Sequence, residues 1–199
     1  MRDAFLVVQD IFPPSQAQDG RAFPNKTAEF ADVFLPSAFW IEKGGVLGNT
    51  ERRSMFTEPM IAPPPGLLHD WQIMVEIARR AGYGQYFPYR NTREIWDEYR
   101  AATKGTDMDL YGATYEVMLE KNGVQWPSTA VGDGGSPRRY ELGTDRHLQR
   151  LAQEGRVQVP ADGILFYGKP DGRARIFKRP QMPPAEVPDK EYPLYLTTG

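Results

Sequence analysis

Between Ala31 and Arg53 the chain reads ADVFLPSAFWIEKGGVLGNTERR, and this stretch limits the architecture more than any other. Val33-Phe34-Leu35 is a short apolar run closed by Pro36. It suits a buried strand feeding a loop rather than a helix, because proline lacks the amide hydrogen that would continue a ladder. The following loop is therefore expected at a strand end. Ser37 to Ile41 returns to apolar surface, and Glu42-Lys43 sets two charges directly before Gly44-Gly45. Paired glycines reach positive φ and admit close backbone approach, and Gly48-Asn49-Thr50 adds amides and short polar side chains. A glycine-rich polar loop of this kind suits phosphates or polar rings, and it equally suits a plain turn between strands. Glu51-Arg52-Arg53 can contact an anion or pair internally.

Upstream, Ala4 to Val8 is a continuous apolar run, as expected of a parallel strand covered on both faces. Gln9 and Asp10 then fall at its carboxyl end, the edge at which open α/β sheets bind ligands. A carboxylate there can accept hydrogen bonds from a nucleotide, or it can cap its own loop. Pro13 to Asn25 has the Pro, Gly, Asp and Gln content of an exposed surface loop.

Downstream, Pro63-Pro64-Pro65-Gly66 is a stiff connector leading to a helix. Trp71, Met74, Val75 and Ala78 recur on one face, Asp70 stands at the N-cap position, and Arg79-Arg80 then Gly82 end it. Asn91-x-x-Glu94 is a capping box for a second helix with Ile95, Trp96 and Tyr99 as its buried stripe. Tyr111, Thr114, Tyr115, Met118 and Leu119 form a third helical face, and these aromatics read as core. His69 and His147 each lack a partner cluster and read as hydrogen-bonded or solvent-facing histidines. From Gly132 to Gly155 the chain turns polar and irregular, and no function attaches to it. Ile164–Tyr167 and Ala174–Phe177 are two expected strands, joined by a turn with Asp171-Gly172 as its hairpin signal. After a proline-rich linker, Tyr192 to Leu196 is a further expected strand, delivering Thr197, Thr198 and Gly199 to its carboxyl end.

The net charge is -2, with no footprint of nucleic-acid binding. There is no cysteine, so the chain itself offers no disulfide, thiolate zinc site or iron–sulfur ligand. No apolar run reaches the ~18 residues of a membrane span, and Met1-Arg2-Asp3 does not open like a signal peptide.

Read as a pattern, Thr27-Ala28-Glu29-Phe30-Ala31-Asp32-Val33, Leu35-Pro36, Glu42-Lys43-x-Gly45 and Asn49-x-Glu51-Arg52-Arg53 resemble the catalytic subunits of molybdopterin-dependent oxidoreductases of the dimethyl sulfoxide reductase superfamily. Asp3 to Asp10 resembles the strand that precedes them. Tyr167 to Ala174 (YGKPDGRA) and Glu191 to Gly199 (EYPLYLTTG) are similar to nitrate reductases, periplasmic and assimilatory, in particular. The likeness covers roughly residues 1–100 and 160–199, and the long Pro13–Asn25 connection departs from it.

The resemblance implies an α/β fold, an internal fragment of the parent subunit. Residues 1–179 would be the C-terminal part of a parallel-sheet dinucleotide-binding domain, 180–190 a linker, and 191–199 the first strand of a β-barrel-like dinucleotide-binding domain. It implies a molybdenum bis(molybdopterin guanine dinucleotide) cofactor, with a [4Fe-4S] cluster elsewhere in the parent enzyme. Gln9, Asp10, Lys43, Asp70, Thr197, Thr198 and Gly199 match cofactor-contacting positions. No catalytic or metal-ligating residue is expected here. Expected partners are molybdopterin guanine dinucleotide, the remainder of the catalytic subunit and an electron-transfer subunit, in a periplasmic or cytoplasmic parent. The implied reaction is reduction of nitrate to nitrite, as in nitrate assimilation, with the isolated chain inactive. A formate dehydrogenase fragment, an inactive remnant and a free-standing nucleotide-binding module are the alternatives.

Overall fold

A computed structural model describes residues 4–12 and 25–195. The chain divides into two units, 1–165 and 166–199. In the first, β1 (Val7–Asp10) and β2 (Val33–Pro36) form a two-stranded parallel sheet, Val7 opposite Val33 and Asp10 opposite Pro36. A second, antiparallel sheet has the order β3 (Gly45–Gly48), β4 (Arg53–Thr57), β5 (Val124–Gln125). Among the described residues four α-helices accompany them: α1 (Asp70–Arg80), α2 (Thr92–Ala102), α3 (Tyr115–Glu120) and α4 (Arg146–Gln153). The fold is thus a mixed helix-and-sheet arrangement with one parallel and one antiparallel sheet.

Local chemistry explains most of these elements. Asn91 Oδ1 accepts the Glu94 N–H at 3.0 Å and Thr114 Oγ1 accepts that of Val117 at 3.3 Å, so α2 and α3 begin at polar caps. Glu94 folds back on Arg90 rather than on the cap, accepting the Arg90 N–H at 2.8 Å. The core gathers Leu110, Ala113, Tyr115, Val117, Met118 and Val124, with Val46, Phe56, Trp96 and Trp126 packed against it. Phe56 stacks on Tyr115 with centroids 4.0 Å apart, and Trp96 Nε1 donates to the Ala113 carbonyl at 2.6 Å. Of the aromatics expected as core, Tyr115 is buried and Trp96 packs half-buried against it, whereas Tyr99, expected on the buried stripe of α2, is exposed, as is Leu119 on the third face.

Several expectations are corrected. The apolar run at Ala4–Val8 is not a doubly covered strand. β1 starts at Val7, and Phe5, Val7 and Val33 remain exposed because the parallel sheet has only two strands among the described residues. The glycine-rich loop is a β-hairpin. Gly45 to Gly48 pair with Ser54 to Thr57, and the turn is held by Asn49, whose Oδ1 accepts the Glu51 and Arg53 N–H groups at 3.0 and 3.1 Å. On α1 the buried residues are Ile73 and Val75, whereas Met74 faces solvent. Tyr111 lies in the turn before α3. The stretch read as irregular contains α4, whose Leu148 and Leu151 are buried.

In the second unit the expected hairpin does not form. Its Ile164 end lies in the first unit as an isolated bridge to Glu141. Phe166 to Gly172 closes a turn, with the Phe166 N–H on the Gly172 carbonyl at 3.0 Å, and Ala174–Phe177 has no strand partner among the described residues. Tyr192–Tyr195 is likewise not a strand: Asp189 Oδ1 accepts the Glu191 and Tyr192 N–H groups at 2.8 and 2.7 Å in a turn.

Candidate functional site

Three separate segments bring polar side chains to the carboxyl end of the parallel sheet. β1 delivers Gln9 and Asp10. β2 runs past Pro36 into Ser37, whose N–H donates to the Asp10 carbonyl at 3.1 Å. The chain then returns at Leu68, bridged in parallel to Ser37, and the Ala38 N–H donates to the Leu68 carbonyl at 2.9 Å. That return places Asp70 at the first turn of α1, directly over the strand ends.

Asp70 is the hub. Gln9 Nε2 donates to its Oδ1 at 2.8 Å and Lys43 Nζ to its Oδ2 at 2.6 Å. Burial pushes the Asp70 carboxyl up, but hydrogen bonds from Lys43, Gln9 and Ser37, with the Lys43 charge, outweigh it and hold the group below its ordinary 3.8. Asp70 is not the N-cap of α1. His69 holds that position, and its N–H is taken by Gln72 Oε1 at 2.9 Å, which frees the Asp70 carboxylate to face the sheet.

Asp10 sits beside Gln9 but turns to its own loop. Its Oδ1 accepts the N–H groups of Ile11 and Phe12 at 2.6 and 3.2 Å, and its Oδ2 accepts Asn25 Nδ2 at 3.0 Å. Gln9, Lys43 and Asp70 are therefore brought into direct contact, Asp10 lies adjacent in a loop-capping role, and Thr197, Thr198 and Gly199 lie outside the described residues.

The glycines next to Lys43 belong to the start of the hairpin rather than to an open loop. A Cβ on Gly44 would stand 3.0 Å from Pro59 Cδ and 3.2 Å from the Thr57 carbonyl oxygen, so that glycine permits close packing at the hairpin's entry. Beside it opens a cavity of about 350 Å³ with Trp40, Lys43, Leu47 and Met60 in its wall. A second cavity of about 550 Å³, lined by Trp71, Trp96, Tyr99 and Trp126, lies between the hairpin and α2.

Lys43 reaches Asp70 with one of its three N–H donors, and Gln9 keeps its amide oxygen and a second N–H. The set can therefore still donate to and accept from a polar ring or an anionic group. Among the described residues no group of three or more His, Cys, Asp or Glu is placed to hold a metal ion, and no helix is long and apolar enough to cross a membrane.

Two features escaped sequence reasoning. Ser37 joins the site as the residue after the strand-ending Pro36, a place where polar side chains meet ligand edges. His147, read as isolated, is buried with its Nδ1 2.7 Å from Arg150 Nη2 on α4. The i,i+3 spacing of Leu148 and Leu151 behind Asp145 was its signal.

Residues 18–80 match the Molybdopterin oxidoreductase family, and this match covers β2, the hairpin and α1, the elements that carry Lys43 and Asp70. The chain belongs with the molybdopterin oxidoreductases. Within that group it is 42% identical over its whole length to a nitrate reductase of Symbiobacterium thermophilum, and 43% identical over 89% of its length to the periplasmic nitrate reductase of Desulfovibrio desulfuricans. It is 34% identical over 98% of its length to the alpha subunit of an F420-dependent formate dehydrogenase of Methanocaldococcus jannaschii. The chain spans about a quarter of each relative, 24%, 23% and 23% in that order.

Proposed function

We propose that the chain forms part of the cofactor-binding wall of a nitrate reductase-like molybdopterin oxidoreductase, with Gln9, Lys43 and Asp70 at the wall's polar centre. The observation that carries this reading is their convergence at the carboxyl edge of parallel strands, where α/β sheets bind dinucleotides. The donor set fits a pterin or guanine dinucleotide: Lys43 has spare ammonium donors, and the Gln9 amide has both a donor and an acceptor. The bound molybdenum bis(molybdopterin guanine dinucleotide) would supply two-electron oxygen-atom transfer, reducing nitrate to nitrite with electrons from an iron–sulfur cluster. This chain's residues bind and orient that group. Asp10 supports the strand end, and Thr197, Thr198 and Gly199 are proposed to extend the contact.

Identity to two nitrate reductases of 42% and 43%, against 34% to the formate dehydrogenase subunit, favours nitrate as the substrate class. The test uses the full-length oxidoreductase in which this reading places the chain. Lys43→Ala and Asp70→Asn should each lower molybdenum and guanine nucleotide content per polypeptide. Unchanged loading in both variants removes these residues from the site.

A further inference from the structure

We infer that the cavity of about 550 Å³ between the β3–β4 hairpin and α2 is a second binding site, for an uncharged aromatic ligand that carries a hydrogen-bonding group directed at Ser54. None of Gln9, Lys43 and Asp70 lines it, so the inference stands apart from the strand-end reading. Five aromatic side chains do line it: Trp71, Trp96, Tyr99, Tyr115 and Trp126. Among the described residues in its wall, none is charged. An ion buried against such a wall loses its hydration without gaining a partner, so the occupant is neutral. A largely apolar pocket with a few polar groups is the usual form of a small-molecule site.

An aromatic cluster can also be plain core, and what separates this one is how its rings are held. Trp96 Nε1 donates to the Ala113 carbonyl at 2.6 Å. Tyr115 stacks on Phe56, and the Arg93 guanidinium lies 4.7 Å from its ring centroid. The Arg52 and Arg139 guanidiniums stand 5.5 and 5.2 Å from the ring centroid of Trp126. None of these holding groups lines the cavity. The rings are therefore fixed by contacts outside it, and a ligand meets surfaces that need no ordering on binding. Flat rings gain most against such walls, through stacked or edge-on contacts.

Two hairpin residues supply the polar end. Ser54 on β4 is 5% exposed, and its hydroxyl has no hydrogen-bond partner among the described residues. A buried hydroxyl left unpaired is costly, and a ligand acceptor offered from the cavity satisfies it. Gly48 on β3 stands directly opposite Ser54, on the same face of the sheet. A Cβ on Gly48 would meet nothing within 4 Å, so the missing side chain keeps the approach to Ser54 open.

The test uses the full chain of 199 residues, with ¹⁵N in its four tryptophans, whose indole N–H signals are followed by NMR. Trp71, Trp96 and Trp126 line this cavity, whereas Trp40 lines a different one and is the internal control. The probes are quinoline, uncharged at neutral pH and bearing a ring-nitrogen acceptor, and naphthalene, which has the same shape without the acceptor. Quinoline should shift the three cavity signals to saturation and leave Trp40 unmoved. Ser54→Ala should weaken quinoline about 5-fold and leave naphthalene unchanged, because one neutral hydrogen bond is lost. Gly48→Leu fills the approach and should abolish saturation by either probe; should that variant fail to fold, Gly48→Ala should weaken both.

Indole signals that stay still, or that all four move alike, overturn the inference. So does a folded Gly48 variant that binds as the wild type does, or a Ser54→Ala variant that affects both probes equally or neither. Equilibrium dialysis of quinoline against the full-length oxidoreductase is the second arm. Binding to the 199-residue chain that is absent there means that the rest of the subunit covers the cavity, which also overturns the inference. The strand-end reading is judged separately, by cofactor loading in Lys43→Ala and Asp70→Asn.

Discussion

Lys43 Nζ lies 2.6 Å from Asp70 Oδ2 although 27 positions of chain separate the two residues. The ammonium next to the paired glycines is thus already engaged by a carboxylate, and the site has little net charge of its own. Under the proposed cofactor-wall reading, selectivity would rest on where donors and acceptors point, more than on attraction of a bare anion. The pair is partly solvated, with side chains 31% and 46% exposed. That exposure keeps it open to a ligand and limits what it adds to stability.

A double-mutant cycle with Lys43→Ala and Asp70→Asn should accordingly give a small coupling energy. Ion pairs with this much solvent contact contribute about 0.2–1 kcal/mol. Urea denaturation of the four proteins measures it. A coupling well above that range would mean the pair is a structural element first.

Asp70 should also leave a mark at acid pH. Its carboxyl is held below 3.8 in the folded chain, so its contribution is fully present above that pH and is lost as pH falls through the lower folded value. The stability difference between the wild type and Asp70→Asn should therefore shrink steadily below pH 3.8. Denaturation midpoints across that acid range provide the measurement, and a difference independent of pH would contradict the hydrogen-bonded charge.

His147 should give the chain a second pH dependence nearer neutrality. Burial first, and the neighbouring Arg150 next, push its imidazole below 6.5, against the opposing pull of Asp145 and Asp107, while Arg139 adds to the lowering. Because the folded value is depressed, stability is full above pH 6.5 and falls as the unfolded chain takes up a proton that the folded chain resists. Between about pH 7.5 and about pH 5.5 the wild-type Tm should drop more than that of His147→Gln, whose amide oxygen can still accept from Arg150. Equal drops would show that other groups set the dependence.

Arg52 carries the strongest stability prediction. At φ 63° it turns the β3–β4 hairpin, and its guanidinium donates to the carbonyls of Trp126, Ser136 and Pro137. Arg52→Ala leaves those carbonyls without a charged donor and should cost about 2–3 kcal/mol, since hydrogen bonds to charged groups contribute about 1.5–3. Arg52→Lys should not recover it, because an ammonium cannot spread over three carbonyls as the planar fork does. Chemical denaturation of both variants checks this.

How much was legible beforehand differs from one element to the next. Asn91 announced α2 because a cap and its N3 partner are neighbours in sequence, and the side chain bonds within one turn. The stretch from Thr27 to Arg53 announced the family for a related reason: its spaced residues lie within one short run. The Gly44–Asn49 segment misled, because whether glycines form a loop or a strand depends on whether another backbone supplies hydrogen bonds. Here Arg53–Thr57 does. The runs opening at Ile164 and Ala174 misled in the opposite direction: they do not pair with each other, and Ile164 makes a single bridge to Glu141 instead.

The amino-acid order alone determined the strand-end positions of Gln9 and Asp10, the helix opened at Asp70 and the kinship with molybdopterin oxidoreductases, all carried by neighbouring residues and local hydrogen bonds. Only the tertiary structure decided that Gln9 and Lys43 meet on one carboxylate, while Asp10 turns away to its own loop. A hydrogen bond reaches about 3 Å, and no local pattern records which distant segment the fold will bring within that reach.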